Sequence, residues 1–324
     1  MKLVLCDKAG TMKRNTDYEV ARLKAAFPEA EVAVHVYSTE EALFQELKDA
    51  DGCITGFLHM GEELFSACPR LRAVSVNATG FNTIDLEAAR RHGVTVSAVR
   101  NYCTEEVAEH TLALMLASAR KLKMHQYRLE EDEIWSYKLV GPVQRLSGRT
   151  LAIFGFGRIG QAVAKRAQAF GLEILAVDPY LPPHVAEACG ARLVTPEQAA
   201  EEADILSNHM VVSDETTSYF DRAFFRQLKK QPIFLNVGRG ASVDEEALLE
   251  ALEEGLVSMA ALDVLREEQP DPAVDPLFKR EDVIITPHAA FYSEQSMRAL
   301  QDISCDNLAA MLKGEMEKVN YIVS

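Results

Sequence analysis

The feature that most constrains this chain is a glycine-spaced turn set in a complete strand–turn–helix–strand context at its middle. Residues 151–154 form an apolar run that reads as a buried strand and leads into Gly155-Phe156-Gly157-Arg158-Ile159-Gly160. A helix is expected over 158–170, with Gly171 as its stop. A second apolar strand over 174–177 ends in Asp178, 18 residues after Gly160. The glycine spacing alone is a weak signal, but a strand, a helix and an acid about 20 residues on mark a dinucleotide site. Gly155 makes the tight turn, Gly157 lets backbone approach a pyrophosphate, and Gly160 lets the helix pack on the strand. Arg158 and Ile159 open a helix whose free N–H groups and positive end face phosphate. Asp178 is expected to accept hydrogen bonds from the adenosine ribose and to repel a 2′-phosphate, so NAD is favoured over NADP. The competing reading, a glycine turn that binds nothing, requires strand, helix and acid to fall into register by chance.

Around this motif the chain alternates short apolar runs with helical patterns, which means parallel sheets covered on both faces. Strands are expected at 3–6, 31–36, 52–55, 72–76 and 94–96, with helices near 17–27, 40–48, 61–67 and 85–91, the last stopped at His92-Gly93. A long, broadly apolar helix follows at 104–121, with Thr104 as a candidate cap. Residues 125–147 read as an irregular surface connection. A larger series begins at Thr150, with strands at 150–154, 172–177, 204–208, 232–236, 258–262 and 283–286 and helices at 158–170, 196–202, 221–228 and 244–254. A final helix over 294–313 is expected to return the chain to the first domain. The fold class is α/β, with two doubly wound parallel-sheet domains.

Composition narrows the function. Among 324 residues, 34 basic side chains face 49 acidic ones, a formal charge of −15, with 48% hydrophobic and 26% charged residues. Those proportions exclude a disordered chain, and the acidic balance disfavours nucleic acid and anionic membrane as partners. The six cysteines form no C-x-x-C pair and stand beside no histidine cluster, so neither a metal nor a disulfide framework is expected, and reduced thiols point to the cytoplasm. The run at 3–6 is too short for a signal-peptide core, and that at 111–119 covers about half a membrane span.

Three segments at strand ends of the larger series carry chemistry. They are Asn236-Val237-Gly238-Arg239-Gly240, Leu262-Asp263 running on to Glu268-Gln269-Pro270, and Thr286-Pro287-His288. Open α/β sheets bind ligands at these ends. Hydride transfer to a carbonyl needs a group that holds a carboxylate and polarises C=O, a task for arginine, and a proton donor near neutrality, a task for histidine. A glutamate beside the imidazole orients it and favours its charged form. Arg239, Glu268 and His288 are the candidate catalytic residues. Each has a bland alternative as a surface or loop side chain. Val237, Gly238 and Asp263 are assigned to the cofactor side. His110 and His209 are expected to be buried and hydrogen-bonded, and His209 also to line the cofactor site.

With these residues in view, the sequence resembles the D-isomer-specific 2-hydroxyacid dehydrogenases over essentially the whole chain. GFGRIG with Asp178, N-x-x-R-G at 236–240, ALDV…E-x-P at 261–270 and TPH at 286–288 carry the resemblance. It implies that Arg239, Glu268 and His288 are catalytic. It also implies a Rossmann NAD-binding domain, residues 102–292, inserted into a smaller flavodoxin-like substrate-binding domain, residues 1–101 and 293–324. Tyr102 ahead of Val107-Ala108-Glu109-His110, and Ala289-Ala290-Phe291-Tyr292 after the histidine, look most similar to the D-lactate and D-2-hydroxyisocaproate dehydrogenase branch. By the same resemblance Ala78, Thr79 and Gly80, ahead of Phe81-Asn82-Thr83-Ile84-Asp85, bind the substrate carboxylate, and Tyr102 and Tyr292 contact substrate with Arg239 and His288. The sequence departs from the family at Gly238, at Arg100-Asn101 and in the loop 77–79. The expectation is an enzyme that interconverts a 2-oxo acid and a D-2-hydroxy acid with NAD, the substrate being a small or apolar monocarboxylate; the resemblance alone implies a homodimer. Alternatives are a glyoxylate or hydroxypyruvate reductase, or an NAD(H)-sensing binding protein of the same fold.

Overall fold

The computed structural model describes all 324 residues. Cα packing divides the chain into two units, Met1–Tyr102 with Ser293–Ser324, and Cys103–Tyr292.

The first unit is built on five parallel strands, β1 (Lys2–Asp7), β2 (Glu31–Val36), β3 (Gly52–Thr55), β4 (Ala73–Val76) and β5 (Thr95–Ser97), in the order β2-β1-β3-β4-β5. β1 is buried on both faces. Leu3 and Leu5 enter one core with Leu23, Ile54 and Leu308, while Val4 and Cys6 enter another with Leu43, Cys53 and Val74. This two-sided burial is why a parallel strand reads as an unbroken apolar run. The helix Glu294–Lys313 covers one face, capped by Ser293 through reciprocal bonds with Ser296 and ended at Gly314, whose φ is +77°.

The second unit has seven parallel strands, β6 (Thr150–Phe154), β7 (Glu173–Val177), β8 (Ala191–Leu193), β9 (Ile205–Asn208), β10 (Ile233–Asn236), β11 (Met259–Leu262) and β12 (Val283–Ile285). Their order is β12-β11-β10-β9-β6-β7-β8. From β6 the chain runs outward through β7 and β8, then crosses to β9 on the other side. The switch point therefore lies between β6 and β9, beside the glycine turn, where such sheets bind ligands. Alternate residues of β6 again feed two cores: Leu151 and Ile153 on one face, Ala152 and Phe154 on the other.

Several elements differ from the sequence expectation. The long helix is Thr104–Ala119, with Cys103 in the cap position, so Thr104 is its first residue rather than its cap. The chain then turns through Lys121, φ +53°, into a helix Leu122–Glu130 where irregular chain was expected. The Lys121 ammonium donates to the Val140 carbonyl, and that of Lys123 donates to the carbonyls of Arg280 and Val283. The helix Pro183–Ala188 and edge strand β8 were not expected. β8 is three residues long with an exposed arginine at its centre, too short to show periodicity. No helix is long and apolar enough to cross a membrane.

Candidate active site

The glycine turn does in space what its spacing implies. Gly155 has φ +82°, and a Cβ there would lie 2.8–2.9 Å from the backbone of His209 and Met210. Only glycine meets both demands. A Cβ on Gly160 would sit 2.6 Å from the Gly155 carbonyl oxygen, so this residue lets the helix Arg158–Ala167 close onto the turn. Gly157 is different: nothing lies within 4 Å of its Cβ position, and it precedes the helix with no side-chain cap. The first N–H groups of the helix, from Arg158 and Ile159 onward, are thus left to a ligand. Asp178 follows β7, half-buried. Its Oδ2 accepts from Phe156 N–H at 3.0 Å and its Oδ1 from Tyr180 N–H at 3.0 Å, which fixes the carboxylate at the edge of the turn. His209 follows β9. Its Nε2 meets Ser207 Oγ at 2.8 Å, while Nδ1 is buried without a partner. Burial pushes its pKa down to about 3, so the imidazole is neutral. An uncapped helix start, an open glycine and an orphaned imidazole nitrogen fit a dinucleotide at this turn.

Arg239, Glu268 and His288 follow β10, β11 and β12, three neighbouring strands whose ends are level: Asn236 pairs Leu262, and Leu262 pairs Ile285. His288 Nδ1 lies 2.7 Å from Glu268 Oε2, which leaves Nε2 as the free nitrogen. The Phe291 ring stands edge-on to the imidazole with centroids 5.9 Å apart. The His288 backbone is left-handed, φ +50°, a conformation that costs a non-glycine residue and persists only where its surroundings impose it. Asp263 imposes it. Its carbonyl accepts from His288 N–H at 2.8 Å, Oδ1 accepts from Thr286 Oγ1 at 2.5 Å and Ala289 N–H at 2.9 Å, and Oδ2 accepts from Ala290 N–H at 3.0 Å. Asp263 is only 2% exposed. The structure thus places it beneath the turn that bears His288, with its carboxylate already engaged there. Because Thr286 gives its proton to Asp263, it accepts from His110 Nε2 at 3.0 Å, which assigns the His110 tautomer.

Arg239 is exposed between two buried glycines, and its Nη1 donates to the Gly238 carbonyl at 2.8 Å. A Cβ on Gly240 would fall 1.9 Å from the Leu265 carbonyl group, so the 265–266 backbone runs directly over this turn and brings the start of the Glu268 loop to it. At Gly238 a Cβ would meet Met210 O at 3.0 Å and Asn208 Nδ2 at 3.2 Å, a tight fit that accounts for glycine here. Val237 is buried at the base of the turn.

The remaining expected contacts divide between the units. Tyr292, at the end of the second unit, is 67% exposed. Ala78, Thr79, Gly80 and Tyr102 belong to the first unit. Thr79 and Gly80 are exposed after β4, with open space at Gly80. The adjacent Val99 N–H donates to the Ala78 carbonyl at 3.0 Å. Arg100 is held by a bond from its N–H to Asn320 Oδ1 at 2.7 Å, and its guanidinium lies 3.2 Å over the Tyr321 ring.

Residues 112–290 match the NAD-binding domain of the D-isomer specific 2-hydroxyacid dehydrogenases, more than half of the chain. The chain belongs to that family. It is accordingly an oxidoreductase of 2-hydroxy and 2-oxo acids with NAD as cofactor. A glyoxylate reductase of Korarchaeum cryptofilum is 34% identical over 283 residues, covering 86% of this chain and 84% of that one. A D-3-phosphoglycerate dehydrogenase of Methanocaldococcus jannaschii is 35% identical over 288 residues, 88% of this chain but only 54% of the relative, so the chain spans about half that protein's length. Among solved structures, the D-lactate dehydrogenase of Aquifex aeolicus, complexed with NAD and lactic acid, superposes with a TM-score of 0.84 at 26% identity, covering 99% of this chain and 98% of that one.

Reading the sequence alone missed the polar residues behind this dehydrogenase's site: Asn208, Ser242, Thr286 and the contact of His110. Only Thr286 stood inside a recognised motif. Asn208, an amide at the end of a short strand that opens with Ile205-Leu206, was a signal that could have been taken up, since a polar group so placed needs partners.

Proposed function

We propose that this dehydrogenase reduces a 2-oxo monocarboxylic acid with a small or apolar side chain to the D-2-hydroxy acid, reversibly, with Arg239, Glu268 and His288 as its catalytic residues. The observation that carries the reading is the 2.7 Å pairing of His288 Nδ1 with Glu268 Oε2, which leaves Nε2 free to exchange a proton. When bound, the nicotinamide supplies or takes up the hydride. His288 Nε2 gives a proton to the carbonyl oxygen in reduction and takes it from the hydroxyl in oxidation. Glu268 holds the ring in the tautomer this requires and balances its charge while it is protonated. Arg239 binds the substrate carboxylate and polarises the carbonyl with its planar fork of donors.

On the cofactor side, Gly155, Gly157, Arg158, Ile159 and Gly160 would carry the pyrophosphate and Asp178 the ribose. His209, Val237 and Gly238 would line the remainder, and Asp263 would act from beneath through the turn of His288. Ala78, Thr79, Gly80, Tyr102 and Tyr292 are substrate contacts by resemblance. The mostly apolar rings of Phe291 and Tyr292, close after His288, support a monocarboxylate, since a second, unpaired carboxylate beside such side chains would be costly. A second reading, reduction of glyoxylate or hydroxypyruvate, draws on the name of the Korarchaeum relative. NADH consumption with pyruvate, 2-oxoisocaproate, phenylpyruvate, glyoxylate, hydroxypyruvate and oxaloacetate tests all of this. Fastest turnover of oxaloacetate would overturn the monocarboxylate reading, and no turnover at all would leave a dinucleotide-sensing protein.

A cytoplasmic homodimer completes the proposal. No disulfide joins the six cysteines, which suits a reducing compartment, and Ile134, Trp135, Tyr137 and Leu139 are exposed within one short segment, apolar surface suited to a second copy. Light scattering decides the oligomeric state.

A further inference from the structure

Asn208 ends β9 with no exposed surface, and its amide is fully used. Nδ2 donates to Asn236 Oδ1 at 2.9 Å and to Ser242 Oγ at 2.7 Å, while Oδ1 accepts from Met210 N–H at 3.0 Å. Its two acceptors are in turn the two side-chain donors to one carbonyl, which also accepts from Ser242 N–H at 3.3 Å. Asn236 Nδ2 donates to Arg239 O at 3.1 Å, and Ser242 Oγ donates to the same oxygen at 2.6 Å. Asn236 Oδ1 also accepts from Gly238 N–H at 3.2 Å. The result is a closed ring, Asn208–Asn236–Arg239 O–Ser242–Asn208, in which every side chain has one consistent orientation. Turning the Asn208 amide over would set its oxygen against Asn236 Oδ1. It would also require Ser242 to spend its only proton on Asn208 rather than on Arg239. The ring lies against a turn with no room to relax on either side, because Gly238 and Gly240 both run hard against neighbouring backbone.

We propose that Asn208 is a positioning residue for the reaction: through Asn236 and Ser242 it fixes the carbonyl of Arg239, and with it the direction from which the guanidinium meets the substrate. Asn208 has no exposed surface of its own, so its effect is exerted through these partners. This rests on the role proposed above for Arg239. Three polar side chains buried at the ends of β9 and β10 and in the turn that follows would be replaceable by hydrocarbon if stability alone were served. A ring that converges on the backbone of one exposed arginine instead defines that arginine's geometry, and a misplacement of about 1 Å at a reacting group can cost about 100-fold in rate.

The test compares wild type with Asn208→Leu, close in volume but without hydrogen bonds, and with Ser242→Ala. The readouts are kcat and KM for the best substrate of the 2-oxo acid panel, NADH Kd by fluorescence without substrate, and Tm. For Asn208→Leu the expected result is a fall of about 10- to 100-fold in kcat/KM, with NADH Kd within about threefold of wild type. In a cycle with Arg239→Lys, the two losses should be clearly less than additive, because a misaimed arginine has less to lose. A folded Asn208→Leu enzyme with kcat/KM within about threefold of wild type overturns the proposal, and so does a parallel loss of NADH affinity, which would mark general disruption. Should Asn208→Leu fail to fold, Ser242→Ala decides: a loss of about fivefold or more supports the ring, and unchanged kcat/KM contradicts it. If wild type reduces no 2-oxo acid, the role of Arg239 fails first. Oxamate binding to the NADH complex then still reads the ring, with weaker binding in Asn208→Leu expected and equal binding contradicting it.

Discussion

Asp263 holds His288 in a left-handed backbone conformation by taking the main-chain N–H groups of 288, 289 and 290 onto its own carbonyl and carboxylate. A buried acid thus decides where a half-buried histidine stands. In Asp263→Asn one carboxylate oxygen becomes an amide that must face N–H or hydroxyl donors. Stability is expected to fall by about 2–4 kcal/mol, the range for a buried charged acceptor that loses its role. Urea denaturation measures this, and kcat should fall with NADH affinity largely kept.

Two glycines make opposite predictions. Alanine at 157 meets open space at an ordinary φ of −72°, so Tm should stay within about 2 °C, while NADH Kd should rise about tenfold or more because a methyl group stands where the pyrophosphate approaches. Alanine at 240 would collide with the Leu265 carbonyl group, and Gly240→Ala should be strongly destabilised or insoluble whatever ligand is added. Thermal unfolding with and without NADH separates the two.

How far these sites were legible follows from how each is encoded. The glycine turn and Asp178 are fixed by spacing along the chain, and Arg239, Glu268 and His288 by residue type at strand ends, so a linear reading reaches them. Asn208, Asn236 and Ser242 act across strands, and nothing in the order of residues says that an amide at the end of β9 faces one at the end of β10. The same limit applies to β8, which exists by pairing with β7, and to the helix Leu122–Glu130, which depends on a left-handed turn at Lys121.

His209 gives the fold an acid sensitivity of defined sign. The unfolded chain takes up a proton near pH 6.5, the native ring only near pH 3, so between these values the unfolded state holds the extra proton and stability falls as pH falls. One such group contributes a slope of up to about 1.4 kcal/mol per pH unit. In His209→Asn the decline in stability from pH 6.5 downward should be shallower than in wild type. Urea midpoints at pH 7, 6, 5 and 4 measure the difference, and identical slopes would remove His209 as its source.

Cofactor choice follows from the anchored carboxylate of Asp178, which two backbone N–H groups hold at the edge of the glycine turn. NADH should be preferred to NADPH in kcat/KM, and Asp178→Ser should narrow the gap by about tenfold or more. Steady-state rates with both cofactors, for both proteins, check this.

The central claim is that His288, set by Glu268 and Asp263, moves the proton. The most direct measurement is the rate of 2-oxo acid reduction by His288→Ala at saturating NADH, beside NADH Kd for the same protein. The account predicts a loss in kcat of about 100- to 10,000-fold, the usual worth of a general acid, with NADH binding essentially unchanged. A kcat within about tenfold of wild type would mean that another group carries the proton and would contradict it.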